Sequence, residues 1–162
     1  MLNDDIKKVG VFIDQPIELI EDMLKSGIID LVQLHGSEDN IYIRKLKDKA
    51  GTSNDIIKAV RVRDSKDIKR AEEYESDYLL LDAYSDAGAG GNGITFDWTL
   101  IRDIKKLFFL AGGISADNVS DAINRVNPYA VDVSSSLETD GYKDYDKMKH
   151  FMDVIRNEVD YE

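Results

Sequence analysis

YLLLDAYSDAGAGGNGITFDW, residues 78–98, begins as an apolar run and ends as a glycine loop. Tyr78–Leu81 reads as a buried strand. Asp82 stands at its C-terminal tip, ahead of Gly88, Gly90, Gly91 and Gly93. A strand that is apolar on successive residues is covered on both faces, which means a parallel sheet with helices outside. Ligands of such sheets bind beyond the C-terminal ends of the strands. Asp82 is thereby carried to the face where chemistry is done. An apolar approach favours the neutral form of a carboxyl and suits it to act as a general acid. Turn and cap carboxylates are also common at strand ends, so position alone leaves its role open.

The pattern around this strand repeats. Short β-branched or aromatic runs occur at residues 9–13 (VGVFI), 29–34 (IDLVQL), 56–62 (IIKAVRV), 107–111 (LFFLA) and 129–133 (YAVDV). Amphipathic stretches separate them and predict helices over residues 16–26, 37–49, 65–74, 97–106, 115–125 and 145–158. Ser37, Ser65 and Ser115 are candidate N-caps. Six strand–helix units of this spacing are βαβ units. A doubly wound sheet calls for a glycine turn after the first strand, and here Asp14, Gln15 and Pro16 follow it. The glycines follow the fourth and fifth strands and a serine run follows the sixth. Phosphate-binding turns late in the chain are typical of a (βα)₈ barrel. With six units, the expected architecture is an α/β fold: a parallel (βα)₆ portion of a TIM barrel, one incomplete domain over residues 1–162.

Composition narrows the chemistry. The 162-residue chain contains no cysteine, which removes disulfides, zinc–thiolate sites and cysteine nucleophiles. Two histidines are too few for a histidine-built metal site. A formal net charge of −11 argues against nucleic acid or an anionic membrane surface as partner. An anionic ligand must then be held by local dipoles. The first residues have no basic n-region, so no signal peptide is expected, and no apolar run reaches bilayer length. The expected location is the cytoplasm.

Two turns could hold an anion. In LAGGIS, Gly112 and Gly113 leave backbone N–H groups open to a phosphate. In VDVSSSLE, Ser134, Ser135 and Ser136 could complete a nest of hydroxyls and N–H groups. Each is equally readable as an ordinary turn. His35, in VQLHG, is either a backbone-bonded strand-end residue or a wall of the ligand pocket. Arg61 and Arg63 could meet a carboxylate or phosphate, or remain solvated. Lys143, near the last loop, has solvation as its simple reading.

Taken in order, VGVF, VQLHG, IIKAVRV, LLLDA, GGNGITFDW, LAGGIS and PYAVDVSSSLE resemble phosphoribosylanthranilate isomerase, from about Val9 to Ile155. The resemblance implies a TIM barrel that rearranges N-(5-phosphoribosyl)anthranilate, by an Amadori reaction of tryptophan biosynthesis, to the 1-deoxyribulose 5-phosphate. It implies no cofactor and no metal. It makes Asp82 the general acid and places phosphate at Gly112, Gly113, Ser134 and Ser135. Gly90, Gly91 and Gly93 become a loop beside the substrate. The family's barrel opens with a KxCG-type strand whose cysteine is the general base, and no cysteine occurs here. The chain is thus expected to begin at the family's third strand, with two units and the base missing. Self-association or a complementing N-terminal fragment is expected to cover the open edges. A phosphosugar-binding remnant without catalysis is the alternative. An indoleglycerol phosphate synthase relative fits less well, since its strand-end lysine and glutamate are not evident.

Overall fold

The computed structural model describes residues 6–51, 55–83, 95–102 and 104–159. Six strands form one sheet in strict sequence order: β1 (Val9–Phe12), β2 (Leu31–Leu34), β3 (Ile56–Val62), β4 (Tyr78–Ala83), β5 (Phe108–Leu110) and β6 (Ala130–Val131). Every pairing between neighbours is parallel. The helices are α1 (Ile17–Lys25), α2 (Asn40–Ala50), α3 (Ser65–Glu72), α4 (Val119–Val126) and α5 (Tyr145–Val159). The result is a curled part-barrel, as the run of strand–helix units implies. Among the described residues no helix is long and apolar enough to cross a membrane.

Side-chain alternation sorts the strands into two faces. On β4, Leu79 and Leu81 pack outward with Phe108, Leu110, Val119, Ala122 and Phe151. A second outward cluster joins Phe12, Val32 and Leu34 to Ile20, Ile43 and Leu46 of α1 and α2. Leu80 faces the other way, into an inner cluster with Ile57 and Ala111. Asp82 lies two residues beyond Leu80, so it shares the inner face. The side chains that fill the barrel thus give way, at the C-terminal rim, to a carboxylate on the same face.

Several expected boundaries move. Ser37 does not cap α2; Asp39 does, its carboxylate accepting from Tyr42 N at 2.9 Å. Asp64, not Ser65, caps α3, in a reciprocal box with Asp67. The helix expected from Ser115 begins at Val119. The helix expected over residues 97–106 is reduced to a 3₁₀ turn at Trp98–Leu100. There the backbone has other partners: Lys105 N and Lys106 N donate to the Glu72 carboxylate at 3.0 and 3.1 Å. Phe96, Trp98, Leu100, Ile101 and Ile104 all reach the outer core, too dense a set for one helical stripe. A short antiparallel hairpin, β7 (Glu138–Thr139) with β8 (Tyr142–Lys143), was not anticipated.

Candidate active site

The rim collects its residues from the ends of β2, β3, β4 and β6. Arg61 and Asp82 are register partners on β3 and β4. His35 follows β2, its amide donating to Phe12 O at 2.8 Å. Its Nε2 lies 3.9 Å from Asp82 Oδ2, with both side chains about one-fifth exposed. The Gln33 amide nitrogen stands 3.1 Å from His35 Nδ1.

Asp132, just past β6, completes the constellation and was not singled out in the sequence. The inward–outward alternation of YAVDV was the available signal, since it puts residue 132 on the face of Ala130. Crowding by neighbouring protein atoms pushes the Asp132 carboxyl above the ordinary aspartate range. The negative charge of Asp82 adds to this, while His35 and Lys143 pull the other way. Asp132 nonetheless keeps an exposed surface, so solvent moderates these effects.

The two candidate anion turns come together beside this group. Ser136 Oγ donates to Ile114 O at 2.6 Å, tying the turn after β6 to the turn after β5. Gly112 has φ +81°, and a Cβ there would lie 2.5 Å from the Ala83 backbone nitrogen and 2.9 Å from Asp82 Oδ1. Only glycine lets this turn approach the acid so closely. Gly113 also has positive φ, and its carbonyl accepts from Asn118 Nδ2 at 2.9 Å. Ser134 and Ser135 lead into a 3₁₀ turn at Ser135–Leu137. Lys143 is not merely solvated: its Nζ donates to Ser134 O at 2.9 Å and pairs with Glu138 at 2.6 Å. The late start of α4 means that its N-terminus does not follow directly on Gly113.

Arg61 is exposed and shares with His35 a cavity of about 450 Å³ that also reaches Lys58, Arg70 and Tyr74. Asp82 is not among the walls of that cavity. Gly90, Gly91 and Gly93 lie outside the described residues. No group of three or more metal-ligating side chains occurs among the described residues.

The geometry is that of a strand-borne carboxyl group beside two joined turns, on the C-terminal rim of a part-barrel. A family model described as N-(5'-phosphoribosyl)anthranilate (PRA) isomerase matches residues 2–154. The N-(5'-phosphoribosyl)anthranilate isomerase of Endomicrobium trichonymphae is 42% identical over 157 residues, covering 97% of this chain and 76% of its own. The crystal structure of phosphoribosyl anthranilate isomerase from Thermotoga maritima superposes with a TM-score of 0.84 at 37% identity, over 96% of this chain and 76% of that one. A structure of the isomerase in complex with reduced 1-(o-carboxyphenylamino)-1-deoxyribulose 5-phosphate gives 0.80 at 36% identity, over 96% and 74%. Rim, sheet order and sequence therefore agree: this chain belongs to the PRA isomerase family.

Proposed function

We propose that this chain carries out the PRA isomerase reaction of tryptophan biosynthesis with Asp82 as general acid. The substrate is N-(5-phosphoribosyl)anthranilate. Asp82 donates a proton to the ribose ring oxygen. The C1–O bond breaks, and the nitrogen lone pair closes a C1=N Schiff base. Loss of the C2 proton gives an enolamine, which tautomerises to the 1-deoxyribulose ketone. No electrons leave the substrate, so no redox cofactor is needed. The 5-phosphate is held by Gly112, Gly113, Ser134 and Ser135, with Lys143 nearby. Arg61 meets an anionic substituent from the β3 side, and the family resemblance adds Gly90, Gly91 and Gly93 as substrate-binding residues. The reading places the chain in the cytoplasm, where the pathway operates.

The observation that carries this reading is the approach of the Gly112 turn to Asp82. A Cβ at Gly112 would stand 2.9 Å from the carboxylate, so acid and phosphate turn occupy one small space. The test is turnover of the purified chain and of Asp82→Asn. We expect the variant to lose roughly 10²–10⁴-fold in rate, the usual contribution of a positioned acid. An unchanged rate removes Asp82 from the mechanism.

The base at C2 is the second question. The chain has no cysteine. His35 is the described residue to mutate first, and the alternative source is polypeptide added on the open side of the sheet. On the inner face of β1 and just past its end, Val9, Val11 and Ile13 are 42%, 59% and 60% exposed. We propose that a second copy of this chain, or a fragment supplying two further βα units, covers them. Turnover that appears only when such a fragment is added assigns the base to it; turnover of the pure chain assigns it here. Binding of a phosphosugar with no turnover under either condition supports the second reading, a binding remnant. The missing cysteine is the observation that favours it.

A further inference from the structure

Beneath the rim lies an ion pair that the reaction does not use. Lys58, on β3, and Glu38, after β2, have side chains only 2% and 1% exposed, with 3.0 Å between Nζ and Oε2. Lys58 points outward from the barrel, beneath the end of β2. Its other two hydrogen bonds are to backbone carbonyls, Gly36 O at 2.7 Å and Leu34 O at 3.3 Å. The Tyr74 ring lies 5.6 Å from the ammonium. Glu38 is equally well satisfied. Its Oε1 accepts from Asp14 N at 2.8 Å, and its Oε2 accepts from Gly36 N at 2.9 Å.

Every one of these bonds joins the segment that carries His35 to β3, to the turn after β1, or to itself. Leu34 and Gly36 flank His35 directly. Asp14 follows β1, with a left-handed φ of 51°, and its own carboxylate accepts from Ser37 N at 2.8 Å. The packing is tight: a Cβ on Gly36 would stand 2.7 Å from Asp14 Oδ1. The ends of β1 and β2 and the first half of β3 are thus held to one another through two buried charges.

A buried ion pair is a poor device for stability, since an apolar pair of similar volume does as well or better. It is a good device for fixing geometry, because each lost bond leaves a charge with no partner. We propose that Lys58 and Glu38 are positioning residues. They fix the backbone of residues 34–38 so that His35 Nε2 stays within reach of Asp82. The inference rests on the rim being the active site; its test does not depend on turnover.

The chain contains two histidines, so the imidazole ¹⁵N spectrum of the full chain is readily assigned. Gln33 and Asp82 lie nearest the His35 ring, Arg61 lines the same cavity, and Asp132 is close enough to interact electrostatically. Asp82→Asn should shift the His35 Nε2 resonance and leave His150 alone. In the background Lys58→Met with Glu38→Gln, the same change should shift His35 by less than half as much. The carboxamide introduced by Glu38→Gln can still accept one amide through its carbonyl, and its NH₂ can take over a carbonyl that Lys58 served. Near-UV circular dichroism and a single melting transition establish that this background is folded. Arg44→Gln, which breaks the exposed Arg44–Glu75 pair, should leave the full shift in place.

A full-sized shift in the folded double variant overturns the proposal. So does the absence of any shift in the parent chain. If the double variant does not fold, Glu38→Gln alone carries the same measurement and the same two outcomes. Loss of the shift together with unchanged turnover of Asp82→Asn is a different failure: it sinks the role of Asp82 and leaves the positioning intact.

Discussion

β1 and β4 lie in one sheet and alternate in the same way, yet their inner faces meet opposite fates. Leu80 of β4 is 1% exposed, while Val11 of β1 is 59% exposed. The side chains are similar in chemistry; the difference is neighbours. β4 pairs with β3 and β5, whereas β1 pairs, among the described residues, with β2 alone. A barrel interior is buried only by curvature on both sides. Val9, Val11 and Ile13 are therefore residues of an interior that six strands do not close. Fully burying such a side chain is worth about 1.5–3 kcal/mol; each of these is about half exposed and has roughly half of that still to gain, which is a driving force for added polypeptide on that side. In the middle of the sheet the same force is already spent on the fold.

The largest way to test that contrast is to remove a charge from the well-covered side. Lys58→Met leaves the buried Glu38 side chain without its cationic partner, and should cost about 3–5 kcal/mol. Urea unfolding reads the loss directly. Adding Glu38→Gln should recover much of it, since the uncompensated charge is gone. Leu80→Ala comes next. It empties part of the inner cluster with Ile57 and Ala111 and should cost roughly 2–5 kcal/mol by the same measurement. If Leu80→Ala proves no more costly than a change on β1, the middle of the barrel is as open as its edge, and the comparison fails.

How much of this was legible in advance follows from what each signal measures. β4 and its Asp82 were readable because a covered parallel strand leaves a continuous apolar run, and its end is marked by the first charge. The strand order was readable because βαβ units repeat. The helix expected over residues 97–106 was not realised: its amides bond to Glu72 of α3, a tertiary contact that local pattern cannot show. The caps moved from Ser37 and Ser65 to Asp39 and Asp64 for a related reason. Serine and aspartate compete for the same donors, and the winner depends on the angle at which the chain enters. Within the site, Asp82 and His35 were each marked by a strand-end position, but their approach to 3.9 Å is visible only in the fold. Asp132 is poorly marked in sequence, because in YAVDVSSS an aspartate beside three serines has the composition of a polar loop. Lys58 and Glu38 are unmarked, because in sequence a lysine and a glutamate look solvated. Only the fold shows that both are enclosed.

A smaller effect concerns Asp132, and it changes with pH. Its carboxyl titrates higher in the folded chain than in the unfolded one. Between the two values the folded state holds more protons, so stability falls as pH rises through that window. Below the ordinary aspartate value of about 3.9 both states are protonated and the contribution vanishes. Asp132→Asn removes the titration. Its melting temperature should match that of the parent in acid, exceed it increasingly as pH rises through the window, and hold a constant lead above it. The lead should be modest, because Asp132 remains open to solvent. A lead as large in acid as at neutral pH would show that the asparagine acts through packing, not charge.

The smallest expected effect on the isolated chain is at the open edge, and it is the most informative there. Val11→Lys places a charge on an inner-face position that is already mostly exposed. Monomer stability should change by no more than about 0.5 kcal/mol, as for an ordinary surface site. Association is another matter. If polypeptide covers β1, a lysine in the middle of its inner face must be buried or must force the two surfaces apart, and a lysine on an exposed strand edge also blocks pairing. Sedimentation of parent and variant across a concentration series separates these cases. Weaker association in the variant at unchanged monomer stability locates the contact on the inner face of β1. Equal association in both puts the contact elsewhere and leaves Val9, Val11 and Ile13 as surface. A large loss of monomer stability would mean that Val11 is covered within a single chain, and the contrast between β1 and β4 would then disappear.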